Sequence, residues 1–348
     1  MKPCRAVAMF SGGLDSSLAV CLIKKQGIEV IAVNFQTPFN VPRKVCGKTD
    51  AVERAASQLD VELVRKPLEP EGAGGRDYLE MLKAPGHGYG RALNPCIDCR
   101  IFFVKKAAEI LREEKAQFII TGEVVGQRPM SQRREALALI DKESGCAGLI
   151  LRPLSAKLLP STIPEEKGWV DREGLLLISG RSRTRQIKLA EEFGIRDYPS
   201  PAGGCLLTEP GYSRKLEDLF RHPGDIRTRD LELLKLGRHF RLSDRVKIIV
   251  GKNDADNKKI LALSGGDDVI LESQGVPGPT TLVLGQPAFE EIRLAARITA
   301  RYISPKNLEG RRPDGALNFN VMRGPEKIPV AQTEASALEP KEIEAYRI

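Results

Sequence analysis

The 348-residue sequence lacks several features that define large classes of protein. No apolar run approaches the roughly 20 residues that a membrane-spanning helix needs, so we expect no membrane association. The sequence starts with an apolar segment rather than a positively charged leader and a cleavable apolar region, and we therefore expect a cytoplasmic protein. Neither a G-x-x-x-x-G-K-[ST] phosphate loop nor a dinucleotide-binding G-x-G-x-x-G that follows a strand is present.

The composition is that of an ordinary globular protein with two domains. Hydrophobic residues make up 41% of the chain and charged residues 29%. A formal net charge of +8 favours polyanionic partners, although a basic surface alone is a weak signal. In a reducing compartment, the seven cysteines are expected to be metal ligands, reactive sulfurs or buried thiols rather than disulfides.

The stretch around which the chain is organised lies close to its N-terminus. An apolar run from Ala6 to Phe10 leads into S-G-G-L-D-S-S, and an amphipathic segment with Leu18 and Leu22 follows. This pattern predicts a strand, a glycine turn and a helix. Such a turn directs backbone N–H groups to one point at the positive end of a helix dipole, which is an arrangement suited to binding phosphate.

This stretch resembles the S-G-G-x-D-S signature of the PP-loop ATP pyrophosphatases. The resemblance implies that the loop holds the pyrophosphate of ATP while the α-phosphate is attacked, and that Asp15 positions Mg²⁺. A simpler alternative is a turn in which Ser11 or Asp15 only caps the helix. The residues expected to bind ATP here are Ser11, Gly12, Gly13, Leu14, Asp15, Ser16 and Ser17.

Strand and helix patterns alternate after this loop. Apolar runs at 29–35, 61–64, 118–122 and 148–154 predict strands of a doubly wound parallel α/β sheet, of the adenine nucleotide alpha hydrolase-like (HUP) type that the resemblance implies. The glycines and prolines of residues 69–90 indicate a loop. Residues 169–178 suggest an inserted hairpin or strand. In the predicted helix 184–193, Arg181, Arg185 and Lys188 share a face that we interpret as solvated, with RNA contact as the alternative.

We predict four segments along the chain: a PP-loop thiolase domain at 1–206 with an insertion at 155–180, a linker or helical segment at 207–236, a small α+β domain at 237–300 and a partly disordered tail at 301–348. The run V-G-K-N-D-A-D-N and the later G-P-T of the third segment are similar to the RNA-binding domain of the NFACT family. The resemblance implies RNA binding by this domain.

Three cysteines form a candidate metal site. Cys96 and Cys99 are spaced by two residues at the start of a predicted helix, where both sulfurs can reach one metal and the positive helix end favours thiolate. Cys205 lies in a Gly-rich loop that can supply a third sulfur. Three thiolates favour a [4Fe–4S] cluster with one iron that lacks a protein ligand. Zn²⁺ is one alternative, but none of the three histidines is near these cysteines in sequence. The simplest alternative is that the three cysteines are redox-inert thiols without a metal.

A second motif narrows the choice among PP-loop enzymes. T-G-E-V-V-G-Q at 121–127, Ser131-Gln132 and L-R-P-L at 151–154 are similar to the catalytic domain of ThiI-type tRNA sulfurtransferases. The resemblance implies an ATP-dependent tRNA thiouridine synthase, which adenylates a uridine carbonyl, releases pyrophosphate and replaces AMP by sulfur. It places Gly122 and Gln127 at the nucleotide or target base, and Asn34 and Phe35 at the adenine.

The partners implied are tRNA and a sulfur donor, either sulfide or a persulfide protein, and a homodimer is left open. Asp15, Cys96 and Cys205 are the expected catalytic residues, with sulfur held beside the activated carbon at the three cysteines. The N-terminal RNA-binding regions and the rhodanese domain of that family have no counterpart in this sequence. Two alternatives stay open: adenylation of a non-RNA substrate for sulfur or nitrogen insertion, and an RNA-binding factor that only senses nucleotide.

Overall fold

The computed structural model describes residues 4–40, 50–196, 198, 205–222, 224–308 and 316–348. The chain divides into two compact units, Met1–Glu209 and Pro210–Ile348. Within the described residues, none of the helices is long and apolar enough to cross a membrane.

The first unit is a parallel sheet with helices on its two faces. Its strands are β1 (Arg5–Met9), β2 (Glu29–Gln36), β3 (Glu62–Pro67), β4 (Phe118–Thr121) and β5 (Ile150–Leu151). Its helices in the described ranges are α1 (Leu14–Lys24), α2 (Ala51–Gln58), α3 (Ala73–Lys83), α4 (Cys96–Glu113), α5 (Arg134–Glu143), α6 (Ile163–Glu166) and α7 (Thr184–Glu192).

The sheet order β3-β2-β1-β4-β5, with parallel pairing at each step, confirms the doubly wound fold. Its central strands are apolar throughout because helices cover both of their faces, and Ala6 and Val7 of β1 are fully buried on opposite sides. The chain order reverses between β1 and β4. The carboxyl ends of these two strands therefore define the edge at which ligands bind in such sheets.

Two local predictions in the first unit are wrong. Residues 73–83 form α3 rather than a loop, because Tyr78, Leu79 and Leu82 give the helix a buried face that outweighs its two glycines. Residues 169–178 form neither a hairpin nor a strand. They contain a 3₁₀ turn at Arg172–Gly174, and Val170, Leu175 and Ile178 pack into the main apolar core as irregular chain.

The second unit is an antiparallel six-stranded sheet with helices. Its strands are β6 (Arg238–Ser243), β7 (Val246–Val250), β8 (Val269–Ser273), β9 (Thr281–Leu284), β10 (Leu317–Arg323) and β11 (Ile328–Ala335), in the order β11-β10-β8-β9-β7-β6. Its helices in the described ranges are α8 (Pro210–Arg221), α9 (Thr228–Leu233), α10 (Asp254–Leu263), α11 (Phe289–Arg301) and α12 (Pro340–Glu344). This sheet confirms the α+β architecture expected of a smaller C-terminal domain.

The second unit is larger than the sequence predicts. Residues 317–335 form a hairpin that extends its sheet, because Leu317, Phe319 and Val321 alternate into the core, so the prediction of a disordered tail is wrong for residues 316–348. Helix α8 belongs to this unit and is not a linker. The carboxylate of its Asp218 binds Arg241 of β6 at 2.6 Å and Lys247 of β7 at 2.9 Å.

Candidate nucleotide and sulfur-transfer site

The glycine turn after β1 leaves backbone donors available at the start of α1. Gly13 caps the helix without a side-chain hydrogen bond, and the first intrahelical bond runs from Ser17 N to Gly13 O at 3.0 Å. The N–H groups of the first turn therefore have no acceptor within the helix. Gly12 has a φ of +66°, which a residue with a side chain adopts only with strain. The turn thus keeps the anion-binding shape that the sequence predicts.

Gly122, which follows β4, contacts the same turn. A Cβ atom at this position would lie 2.5 Å from the backbone nitrogen of Ser16 and 2.6 Å from the carbonyl carbon of Asp15. Only glycine allows so close an approach of two backbones. Gly122 therefore sets the spacing between β4 and the PP-loop, a role different from the predicted contact with nucleotide.

Asp15 lies at the centre of a hydrogen-bond network. Its Oδ2 atom accepts a bond of 2.8 Å from Nε2 of Gln127 and another of 2.8 Å from the guanidinium of Arg183. The Oε1 atom of Gln127 in turn accepts a bond of 3.4 Å from Nε2 of Gln186. Gln127 is thus tied to the PP-loop rather than to a local turn, which supports the functional interpretation of this residue.

Several buried acceptors at this network have no hydrogen-bond partner among the described residues. They include Oδ1 of Asp15, Oγ of Ser17 and Oε1 of Gln186. A buried polar atom left without a partner is costly, so such atoms cluster where a ligand, ion or water completes them. The Oδ1 atom of Asp15 is a hard oxygen of the kind that Mg²⁺ prefers.

Asn34 and Phe35 lie within β2 rather than beyond it. Nδ2 of the buried Asn34 donates to the Phe10 carbonyl at 2.8 Å, which joins the ends of β1 and β2 just before the PP-loop. The Phe35 ring stacks on Phe103 of α4, with 5.4 Å between their centroids. These contacts give both residues structural roles, and their contact with adenine stays a prediction.

Glu123 is a buried charge held by arginines. Burial alone would raise the pKa of its carboxyl, but Arg152 and Arg100 outweigh burial and lower that pKa. Arg152 lies 3.0 Å from Glu123 and also pairs with Asp141 of α5 at 2.6 Å. Glu123 belongs to the T-G-E motif and Arg152 to the L-R-P-L motif. A buried ion pair therefore joins these two motifs.

The structure brings Cys96, Cys99 and Cys205 into one neighbourhood. Each thiol interacts electrostatically with the other two, and Tyr78 interacts with all three. The Tyr78 hydroxyl lies 3.3 Å from Sγ of Cys99, and Sγ of Cys96 donates to the Asn94 side chain at 3.0 Å. Cys205 is positioned by a β-bridge to Asn40. These interactions place the three thiols in the same part of the unit, and their convergence on one metal stays a prediction.

The three thiols differ in their surroundings. Burial raises the pKa of Cys99 to about 12 and that of Cys205 to about 11. Burial also raises the pKa of Cys96, but Arg100, Arg128 and the bond to Asn94 oppose this effect. All three are free thiols, and the helix start at Cys96 does not make them thiolates at neutral pH.

In the part of the chain that the structure describes, no group of three or more His, Cys, Asp or Glu side chains is arranged to hold a metal ion, the three cysteines included. The donor types fit an iron–sulfur cluster or zinc, because three soft sulfurs share one site. In this structure, however, the three sulfurs do not surround a common metal position. Iron–sulfur cluster, Zn²⁺ and metal-free thiols thus stay alternatives.

Arg128 connects the nucleotide side of the site with the sulfur side. Its guanidinium interacts electrostatically with Asp15 of the PP-loop and with the thiol of Cys96. The PP-loop carboxylate and the Cys96 thiol thus both belong to the electrostatic surroundings of Arg128.

The sequence analysis did not assign a role to Arg128, Arg183 or Gln186. Arg128 lies inside a motif already identified, so its position was a usable signal. Arg183 and Gln186 come from α7, far along the chain from the PP-loop. Their i, i+3 spacing at a helix start places them on one side of the helix, but only the fold shows which residue that side faces.

Residues 3–157 match the family described as thiamine biosynthesis protein (ThiI), and residues 237–347 match the NFACT protein RNA binding domain. A probable tRNA sulfurtransferase of Thermococcus kodakarensis is 32% identical over 151 residues, which are 43% of this chain and 36% of the relative. The tRNA-specific 2-thiouridylase MnmA of Listeria monocytogenes is 25% identical over 243 residues, which are 68% of this chain and 61% of that protein.

The chain spans between 29% and 42% of the length of the probable tRNA sulfurtransferases from Thermococcus kodakarensis, Methanosarcina mazei and Ureaplasma parvum. The chain is also similar to the crystal structure of a 4-thiouridine synthetase–RNA complex with bound ATP. The match covers 66% of this chain and 52% of the synthetase chain, at 21% identity and a TM-score of 0.37. The chain is thus similar to the ThiI family over residues 3–157 and to the NFACT RNA-binding domain over residues 237–347.

Proposed function

We propose that this protein is an ATP-dependent tRNA thiouridine synthase. The observation that carries the proposal is the contact of the 121–127 motif with the PP-loop, since Gln127 donates to Asp15 at 2.8 Å and Gly122 packs against the backbone of Ser16. The similarity to tRNA sulfurtransferases supports tRNA as the substrate. In this reaction a uridine carbonyl oxygen attacks the α-phosphate of ATP, pyrophosphate leaves, and sulfur then displaces AMP from the activated carbon.

The PP-loop serves the first step. The free N–H groups at the start of α1 bind the oxygens of the departing pyrophosphate, where negative charge grows in the transition state. Arg183 exchanges its bond with Asp15 for one with a phosphate oxygen when nucleotide enters, and Asp15 is then available to Mg²⁺ through Oδ1 and Oδ2. Mg²⁺ bound there supplies charge neutralisation of the β- and γ-phosphates.

The cysteines serve the second step. A [4Fe–4S] cluster held by Cys96, Cys99 and Cys205 would supply an iron without a protein ligand, to which sulfide can bind. Tyr78 and Asn94 orient two of the three sulfurs by hydrogen bonds. Arg100 and Arg128 favour an anionic sulfur at Cys96 by lowering the pKa of its thiol against the effect of burial.

A persulfide donor offers a second route for the sulfur, for which the free thiols of Cys96, Cys99 and Cys205 are suitable. Here a persulfide donor charges Cys96, whose terminal sulfur attacks the adenylated carbon and expels AMP. A neighbouring thiol, Cys99 or Cys205, then attacks the Cys96 sulfur, which releases the thiocarbonyl of the RNA and leaves a disulfide. A dithiol reductant restores the two thiols.

The decisive experiment measures two products from unmodified tRNA: pyrophosphate, and thiouridine by mass spectrometry of the nucleosides. We expect both with ATP, Mg²⁺ and sulfide or a persulfide donor. Iron content after anaerobic purification separates the two sulfur routes, with about four irons per chain for the cluster. Pyrophosphate release that needs no RNA would instead indicate a non-RNA substrate. No pyrophosphate release together with RNA binding would indicate a factor that only senses nucleotide.

A further inference from the structure

Helix α7 has two sides with different surroundings. One side faces the site and the core, because Gln186 and Ala190 are fully buried and Arg183 at its start binds Asp15. The opposite side is exposed and basic. We call Arg185 and Lys188 of α7, together with Arg181 shortly before the helix, the basic face of α7, and each of these three residues is exposed.

The charges of this face are not neutralised within the described chain. No ion pair joins Arg181, Arg185 or Lys188 to another described residue, whereas many other cations of this unit are paired. Lys157 binds Glu173 and Arg65 binds Asp50, at 2.8 and 2.7 Å. The sequence also contains no acidic residue between Glu173 and Glu191. Of the two interpretations of this face, a solvated surface and RNA contact, unpaired charge next to the proposed site favours RNA contact.

The position of the face is fixed by the site itself. The guanidinium of Arg183 lies 2.8 Å from Asp15. Arg181 and Arg185 lie two residues before and two residues after Arg183 in the sequence. An α-helix with its side chains is about 10 Å in diameter, so an anion on the basic face lies roughly that far from the PP-loop. Successive phosphates of a nucleic acid strand are spaced on the same scale. A strand whose base enters the site therefore brings neighbouring phosphates over this face.

We propose that the basic face of α7 binds the phosphate backbone of the RNA substrate next to the reacting nucleotide. The partner is a polyanion because three cations are unpaired, and RNA because the reaction proposed above acts on a uridine; the inference rests on that function. Ile187, which is 42% exposed on the same helix, adds apolar contact with a ribose or base. This face would act in addition to the C-terminal RNA-binding domain.

The test measures binding of unmodified tRNA to the full chain by fluorescence anisotropy over a range of salt concentrations. The double variant Arg185→Glu/Lys188→Glu should raise the Kd at least about tenfold and lower the slope of log K against log salt by roughly two, since each phosphate contact contributes about 0.9. The matched control is Lys105→Glu/Lys115→Glu, which reverses two exposed charges on and just after α4, the helix on the other face of the sheet. It should leave both quantities unchanged.

ATP binding, measured without RNA, shows whether the variant is folded, and it should match the wild type. A double variant with wild-type Kd and salt slope would overturn the proposal while leaving the thiouridine synthase assignment intact. A wild-type chain that binds no tRNA would overturn both. If tRNA binding is unchanged but thiolation with a persulfide protein falls and thiolation with sulfide does not, the face binds an acidic sulfur donor instead of RNA.

Discussion

The guanidinium of Arg183 lies 2.8 Å from Oδ2 of Asp15, which joins the start of α7 to the PP-loop. The pair is only partly exposed, with 25% of the arginine side chain and 12% of the aspartate side chain accessible. In the nucleotide-free protein the arginine therefore neutralises a carboxylate that would otherwise repel phosphate. We expect entry of ATP with Mg²⁺ to replace this ion pair by two others, arginine with phosphate and aspartate with metal.

Asp15→Asn should lower the rate of pyrophosphate release by roughly 100-fold or more, because an amide does not hold Mg²⁺ on the phosphates. The amide still accepts a bond from Gln127, so the free energy of unfolding should change little. Pyrophosphate assays at several Mg²⁺ concentrations, with unfolding monitored in urea, measure both effects. A variant with wild-type activity would contradict the assigned role of Asp15.

Arg183→Gln should raise the KM for ATP about tenfold, since a charged hydrogen bond contributes roughly 1.5–3 kcal/mol. Arg183→Lys keeps the charge and should recover part of the loss. Arg196→Gln, at an exposed position beyond the same helix, is the control and should leave the KM unchanged. Equal KM values for Arg183→Gln and the wild type would show that the arginine only pairs with Asp15.

Gly122→Ala should weaken ATP binding at least about tenfold, because its Cβ would lie 2.5 Å from the Ser16 nitrogen and would move the PP-loop away from β4. Gly72→Ala is a suitable control, since its Cβ would have only an ordinary contact of 3.5 Å with the Glu69 carbonyl oxygen. Titration of both variants with ATP compares them directly. Tight ATP binding by Gly122→Ala would mean that this contact does not shape the site.

Serine substitutions at Cys96, Cys99 and Cys205 should separate the two chemical steps. Cys96→Ser should abolish thiouridine formation on either sulfur route, while pyrophosphate release in the presence of tRNA continues. Cys99→Ser and Cys205→Ser should both abolish it on the cluster route, but only the one that removes the resolving thiol should do so on the persulfide route. Cys4→Ser is the control, since Cys4 lies at the start of β1 and outside this group. Thiouridine formation by any of the three variants at the wild-type rate would remove that cysteine from the mechanism.

The His87 side chain should make stability depend on pH. Hydrogen bonds with Asp98 and charge interactions with Asp98 and Glu143 raise the pKa of His87 above its usual value of about 6.5. Because the folded-state pKa is the higher one, this stabilisation is complete below about pH 6.5 and is lost as the pH rises through the folded-state pKa. The difference in free energy of unfolding between wild type and His87→Gln should therefore be larger near pH 5.5 than near pH 9, by urea denaturation. A difference independent of pH would contradict this role of the charge.

Local patterns in the sequence determined the strand–turn–helix at the PP-loop, the parallel α/β sheet and the three-cysteine set. Each of these depends on neighbouring residues, on hydrophobic periodicity or on glycine conformation. The alternating Leu317, Phe319 and Val321 also carried a strand signal, although the charged and glycine-rich residues before them masked it. Sequence reading thus predicted the fold of the first unit, whereas the roles of the site residues stay predictions.

Only the tertiary structure decided which distant side chains meet at that site. The ion pair of Asp15 with Arg183 and the burial that raises the pKa of Cys99 and Cys205 both depend on the packing of separate elements. Interactions between residues far apart in the sequence, and the burial of a side chain by other elements, leave no local pattern in the sequence. For this reason the sequence alone indicated the type of chemistry, whereas the fold determined which side chains interact.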